Sequence, residues 1–301
     1  MLSSRVAPDY WRAFFALLDE TARAGGRMFA QVSSRALSVL LSFETRLPFD
    51  RVPEWEPLRA RPLAEQREAL RDAALRARLV TAANEADYGR VVGADARRPD
   101  YDWLFLMERP TGPHRSIADI ARERGLDPVE AMIRLALERD LRCFFVQPIA
   151  NEHDPAVLEM MRHPRSVVTF SDSGAHVSQI MESSLQTHVL ASWVRERKAL
   201  GLEEGVRLLT LEPASAWGLY DRGLLREGLA ADLVVFDPDR VAPLMPEVVD
   251  DLPAGARRLR QNATGFAASI VNGVLVLRDG EHTGAHPGRV LRGPLAAVPR
   301  R

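Results

Sequence analysis

The chain has 301 residues, 46% of them hydrophobic and 27% charged, and a net charge of −1 at pH 7. That is enough chain for a large domain plus a small one, and its charge balance offers no basic surface for nucleic acid. The apolar runs are too short to cross a membrane, the first residues carry no apolar signal core, and Cys143 stands alone. No secretory leader, disulfide framework or Cys-based zinc site is therefore expected, and a cytoplasmic protein is the expectation.

Residues 9–24 predict an amphipathic helix, with Asp9 able to cap it and Trp11, Phe14, Phe15, Leu18 and Ala22 recurring at helical spacing. Residues 27–33 then read as a short, mostly buried strand. Pro48, Pro53, Pro57 and Pro62 limit residues 34–61 to a loop with a turn of helix. A helix is predicted over 63–80. Residues 84–112 look irregular, around the aromatic residues Tyr101, Trp103 and Phe105. Ser116 and Asp127-Pro128 each announce a helix, over 117–124 and from 128 to about 140. Residues 141–147 read as another apolar strand, and Asp154-Pro155 starts a helix ending near His163-Pro164.

The stretch Val167-Val168-Thr169-Phe170-Ser171-Asp172-Ser173-Gly174-Ala175-His176 is the most informative of the chain. A β-branched and aromatic strand, 166–171, ends abruptly in a carboxylate, small residues and an imidazole, as a buried parallel strand does when it runs into a functional loop. Strands near 27–33, 141–147 and 166–171, separated by helices, favour one parallel sheet with right-handed crossovers. Helices over 181–199 and 203–211 follow. Asp232 to Asp237 reads as a strand, and Phe266–Val271 with Val274–Arg278, joined by Asn272-Gly273, as a hairpin with a type I′ turn. Two domains are expected, 1–220 and 221–301.

Several segments occur in sequence: Ser171-Asp172 with a following glycine, Leu208-Leu209-Thr210 through Pro213-Ala214, Asp221-Arg222-Gly223, Gly228 to Asp237 (GLAADLVVFD), Val271-Asn272-Gly273, and His286-Pro287-Gly288-Arg289. This ordered set resembles the C-terminal half of the amidohydrolase superfamily, nearest its N-acyl-D-amino-acid deacylase (D-aminoacylase) branch. The resemblance implies an α/β fold: the C-terminal part of a metal-dependent (β/α)8 TIM-type barrel, strands six to eight, plus part of a small β-sandwich with a C-terminal tail. It implies hydrolysis of C–N amide bonds in a small N-acyl amino acid, and Zn²⁺ or another divalent metal in the complete enzyme. By position it makes Asp172 both the metal-binding and the catalytic carboxylate, at the end of strand eight. A short, ionised carboxylate beside a water can accept its proton as the water attacks an amide carbonyl.

The sequence departs from that pattern in its other ligands. It contains no His-x-His, and the strand-six position reads Gln31-Val32-Ser33-Ser34-Arg35, without histidine. Zinc takes three or four protein ligands, so this chain alone is not expected to hold it tightly. Three strands do not close an eight-stranded barrel. A fragment completed by a missing N-terminal half or by self-association is therefore expected, with neither nucleic acid nor membrane as partner. The alternatives are another amidohydrolase of hydantoinase or deaminase type, and a non-catalytic interaction or assembly fragment.

His176 and Arg35 are the candidate substrate contacts at the strand mouths; a plain loop histidine and an exposed arginine are the competing readings. Asp172 could instead be a helix N-cap. Ser33 and Ser34 read as a polar rim, since no nucleophile elbow accompanies them. His282 and His286 are four apart but lie among glycine and proline, which argues against a helical ligand pair. Cys143 reads as a buried core thiol, and Arg257, Arg258 and Arg260 as a solvated basic face.

Overall fold

The protein was described from a computed structural model, which covers residues 2–89, 97–175, 178–180 and 183–291. The chain opens with helix α1 (Tyr10–Arg23), strand β1 (Ala30–Val32) and strand β2 (Leu37–Leu41). Helices α2 (Glu56–Arg59), α3 (Leu63–Ala69) and α4 (Ala73–Glu85) follow, then β3 (Phe105–Leu106), β4 (Arg115–Ser116), α5 (Ile117–Arg124) and α6 (Pro128–Leu137). Next come β5 (Phe145–Ala150), α7 (Asp154–Arg162), β6 (Ser166–Val168) and α8 (Leu185–His188), which runs on as a π-helix over Val189–Glu196. The last part holds α9 (Leu202–Leu209), α10 (Leu211–Ala216), β7 (Leu233–Phe236), β8 (Ala242–Pro243), β9 (Glu247–Leu252), β10 (Ala256–Arg260), β11 (Ala263–Thr264), β12 (Phe266–Val271), β13 (Val274–Arg278) and β14 (Glu281–His282).

The first and last of the three strands expected in one parallel sheet do lie parallel, but directly side by side, with no strand between them. β1 lies parallel to β6 with Ala30 opposite Ser166 and Val32 opposite Val168, and the Phe170 N–H donates to the Val32 carbonyl just beyond the ladder. The third predicted strand does not join them. β5 pairs antiparallel with β2, Leu41 opposite Phe145 and Leu37 opposite Ala150, and antiparallel with β3, giving the order β2-β5-β3-β4. The expected single parallel sheet is thus corrected to one parallel pair and one antiparallel sheet.

The reason lies in β2, which falls inside the stretch read as loop. All five of its residues are buried. Leu37, Val39 and Leu41 point into the larger core with Phe145, Ile117 and Ile133, whereas Leu40 points into a smaller cluster with Met107, Phe144, Val146 and Leu259. A strand buried on both faces shows no alternation, so periodicity does not reveal it. The helix predicted over 63–80 is two helices, because Asp72 takes an extended conformation and caps α4, accepting from the Ala74 N–H at 2.8 Å. The helix predicted over 181–199 begins at Leu185 among the described residues and widens to i→i−5 bonding, seen where the Arg197 N–H donates to the Ser192 carbonyl.

A second core joins α1 to the parallel pair. Trp11, Phe15 and Leu18 pack with Val32, Met160, Met161, Val189 and Trp193. Phe14, expected on that face, is partly exposed. Asp9 makes no side-chain cap bond, unlike Ser116 and Asp127, whose oxygens accept from the Asp119 N–H and the Val129 N–H. Beyond α10, β7, β12, β13 and β14 form one antiparallel sheet. Its hairpin turn has Asn272 at φ 49° and Gly273 at φ 78°, the two positive values that a type I′ turn requires. No helix among the described residues is long and apolar enough to cross a membrane.

Candidate functional site

The parallel pair delivers two loops to one end. β1 leads into Ser33-Ser34-Arg35, and β6 leads into Thr169-Phe170-Ser171-Asp172. The Gln31 amide donates to Thr169 Oγ1 at 3.2 Å, tying the two exits together. Asp172 sits at φ 52°, in the left-handed region, and is exposed. The turn around it is built by the Ser173 N–H donating to Ser171 Oγ at 3.2 Å and the Ala175 N–H donating to the Asp172 carbonyl at 3.1 Å. Gly174, at φ 88°, lets the chain double back. Asp172 is not a helix N-cap: the next helix among the described residues starts at Leu185, with Ser184 before it. The other candidate on this loop, His176, lies outside the described residues.

Arg35 is half-buried, and its Nη1 donates to Ser184 Oγ at 2.7 Å. It therefore bridges the β1 exit to the start of α8. Ser33 and Ser34 are fully buried, so they are not the solvent-facing rim that the sequence suggested. Ser34 Oγ donates to the Leu185 carbonyl at 2.7 Å, and its own carbonyl accepts from the Trp193 indole N–H at 2.6 Å. His188 Nδ1 stands 3.5 Å from Ser34 Oγ. A Ser–His pair of this kind invites a nucleophile reading, but the hydroxyl proton is already committed to the Leu185 carbonyl. The long contact to His188 leaves no base to take it.

His188 is a residue that sequence reasoning missed. It lies 154 positions from Ser34, and no local pattern links them. Burial pushes its pKa well below the ordinary value, reinforced by the Arg35 and Arg197 charges and opposed by its hydrogen bond to the Ser34 backbone. The imidazole is neutral at pH 7. His114 is likewise lowered, by burial first and then by Arg35 and Arg109. One guanidinium thus helps to keep two imidazoles uncharged.

Other candidates resolve simply. His153 is exposed and precedes α7 without a side-chain cap bond. His282 and His286 bring their rings to 5.3 Å, His282 on a strand and His286 in a loop, with no helix between them. Cys143 is buried, and burial raises its thiol pKa to about 12, so it is inert core. Trp103 packs edge-on against Phe105 at 5.5 Å under the Arg5 guanidinium, as ordinary loop packing.

The fit to a metal fails among the described residues: no group of three or more His, Cys, Asp or Glu side chains is placed to hold an ion. Along the chain Asp172 is flanked by Ser171, Ser173 and Gly174, none of which is a usual zinc ligand.

Comparison with known proteins gives the site its context. The chain is 33% identical over 201 residues to an N-acyl-D-aspartate deacylase of Alcaligenes xylosoxydans xylosoxydans, an alignment covering 63% of this chain and 35% of that protein. It is 33% identical over 180 residues to an N-acyl-D-glutamate deacylase of the same organism, covering 59% and 33%. Among solved structures, an N-acyl-D-glutamate deacylase from Bordetella bronchiseptica, complexed with zinc and a phosphonate inhibitor, aligns over 93% of this chain and 47% of its own. The identity there is 21% and the TM-score 0.45. The chain thus spans only about a third of the length of the curated relatives it matches (35% and 33%). Residues 18–281 match the Amidohydrolase family, which takes in both parallel strands, the Asp172 turn and the hairpin at Asn272-Gly273, and the chain belongs to that family.

Proposed function

We propose that this chain is the deacylase-type portion of a hydrolase acting on C–N amide bonds, with an N-acyl amino acid as substrate and Asp172 as its proton-transfer carboxylate. The observation that carries the reading is the placement of Asp172: exposed, in a strained left-handed turn, at the exit of a parallel strand pair, within the family match. Strained backbone of this kind concentrates at functional sites. A carboxylate there can orient a water and accept its proton as it attacks an amide carbonyl.

In this reading β1 and β6, paired directly and in parallel, are two neighbouring barrel strands, the antiparallel β5 is not the strand between them, residues 1–220 correspond to the barrel portion and 221–301 to the small β domain. Arg35 and His176 contact the substrate. Zn²⁺ or another divalent ion belongs to the chemistry of the complete enzyme, where it would polarise the amide carbonyl. The described residues do not hold it, so the chemistry assigned to this chain is proton transfer and orientation at Asp172. Cytoplasmic location, and self-association or completion by further barrel strands, belong to the same proposal.

That no ligand cluster occurs among the described residues supports a second reading, a non-catalytic assembly module. Two measurements on the purified chain separate them: bound metal by mass spectrometry, and amine release from N-acetyl-D-aspartate, N-acetyl-D-glutamate and N-acetyl-D-methionine. The hydrolase reading expects amine release that falls on the order of 100-fold or more in Asp172→Asn. No amine release even with zinc supplied would favour the module, and release unchanged in Asp172→Asn would remove Asp172 from the chemistry.

A further inference from the structure

Beside Asp172, Ser173 and Gly174 form one side of a cavity of about 480 Å³. The other side is the β9–β10 hairpin, which contributes Leu252, Arg258, Leu259 and Arg260. Among the described residues that line it there are two guanidinium groups, two serine hydroxyls and a glutamine amide, but no carboxylate. Leu252 supplies an apolar side chain, while Leu259 turns to the opposite face of β10 and into the core. Two guanidinium groups, each oriented by its own carboxylate partner, hydroxyl donors and the Leu252 side chain together match a small carboxylate on an aliphatic stem.

The hairpin is a fixed wall. Leu259 is buried with Leu40, Met107, Phe144 and Val146, so β10 is nailed to the antiparallel sheet. Arg257 Nη1 donates to the Glu44 carbonyl at 2.6 Å, a second anchor outside the cavity. The cavity-lining arginines are held in orientation by their own strand partners. Arg258 Nε and Nη2 bind the two Asp251 oxygens at 2.6 and 2.7 Å, and Arg260 Nε binds Glu247 Oε1 at 2.9 Å. Such exposed pairs add little stability. They do fix two planar forks, and the Nη1 edge of each takes no part in these pairs. A fork held in place loses less freedom when it grips an anion.

We infer that this cavity is a carboxylate subsite, in which Arg258 and Arg260 bind the anion and Leu252 packs its stem. That the anion belongs to an N-acyl amino acid, as its acidic side chain, rests on the deacylase reading above; the subsite itself stands on the cavity. Residues that the sequence reads as a solvated basic face become specificity-determining residues beside the Asp172 turn.

The test is calorimetric titration of the whole chain with glutarate, against glutaramide as its neutral counterpart. Glutarate is expected to bind and glutaramide not, and added salt weakens the binding. Arg258→Gln and Arg260→Gln are each expected to weaken glutarate roughly tenfold. Arg258→Lys, which keeps the charge but loses the fork, falls between. Arg257→Gln leaves glutarate affinity unchanged, because Arg257 pairs with Asp250 and does not line the cavity. Absence of glutarate binding, equal binding of glutaramide, or affinity indifferent to both Arg258 and Arg260 overturns the subsite. Glutarate binding is measured without turnover. Retained affinity in a chain that hydrolyses nothing would leave the subsite standing while the deacylase reading fails.

Discussion

Asp172 holds a φ of 52°, where a side chain with a Cβ is strained and glycine is not. Asp is among the residues that tolerate that region best. Two substitutions therefore separate backbone from carboxylate. Asp172→Gly is expected to leave the urea midpoint unchanged or slightly raised, whereas Asp172→Val lowers stability by about 1–3 kcal/mol. A Gly variant that is as stable as the wild type but inactive assigns the loss to the carboxylate. At the same scale, His188 makes a pH prediction. Its folded pKa lies below the ordinary 6.5, chiefly through burial and then through Arg35 and Arg197. The unfolded chain accordingly takes up a proton that the folded chain refuses. Stability from this group is complete above pH 6.5 and is lost as pH falls toward the folded value, with a limiting slope of about 1.4 kcal/mol per pH unit. Urea midpoints at pH 7.5, 6.5 and 5.5 check this, and His188→Gln should flatten the decline.

At the scale of the element, capping residues decide where helices begin. Asp127 accepts from the Val129 N–H at 2.7 Å and holds the Asn84 amide at 2.8 Å, which joins the start of α6 to α4. Asp127→Ala should cost about 1 kcal/mol from the cap. Thermal melting together with helical ellipticity measures it, and an unshifted melt would show that the cap contributes nothing. The hairpin turn gives a second case. A Cβ on Gly273 meets no atom within 4 Å, so Gly273→Ala pays only for its φ of 78°. Its cost should stay near 1 kcal/mol. These elements were legible because the signal and its bond lie within four residues of each other. β2 was not legible, because its two faces serve two cores, and neither was the turn at Asp72 that splits α3 from α4.

At the scale of the molecule, the outer side of α1 exposes Tyr10, Phe14 and Leu17, and Met28 and Phe29 are exposed just before β1. The net charge at neutral pH is −1, which gives little repulsion between copies. Association that grows with concentration is expected near pH 7, and Phe14→Glu with Leu17→Glu should reduce it. Light scattering across concentration tests this, and scattering equal in the two proteins would remove the α1 face from the contact.

The sequence by itself determined many of the local elements, a strand from Ser166 that leads toward Asp172 though it stops at Val168, the type I′ hairpin and, through an ordered set of short motifs, the family. Each of these is written in residues near one another, where capping, turn chemistry and periodicity act. Only the tertiary structure decided that β5 turns away from the parallel pair to join β2, that Ser33 and Ser34 are buried, and that His188 lies against Ser34. Only the fold could set Arg258 and Arg260 across a cavity from Ser173 and Gly174. Those contacts join residues up to about 150 positions apart. They are selected by how whole faces bury against one another, and no local pattern records that choice.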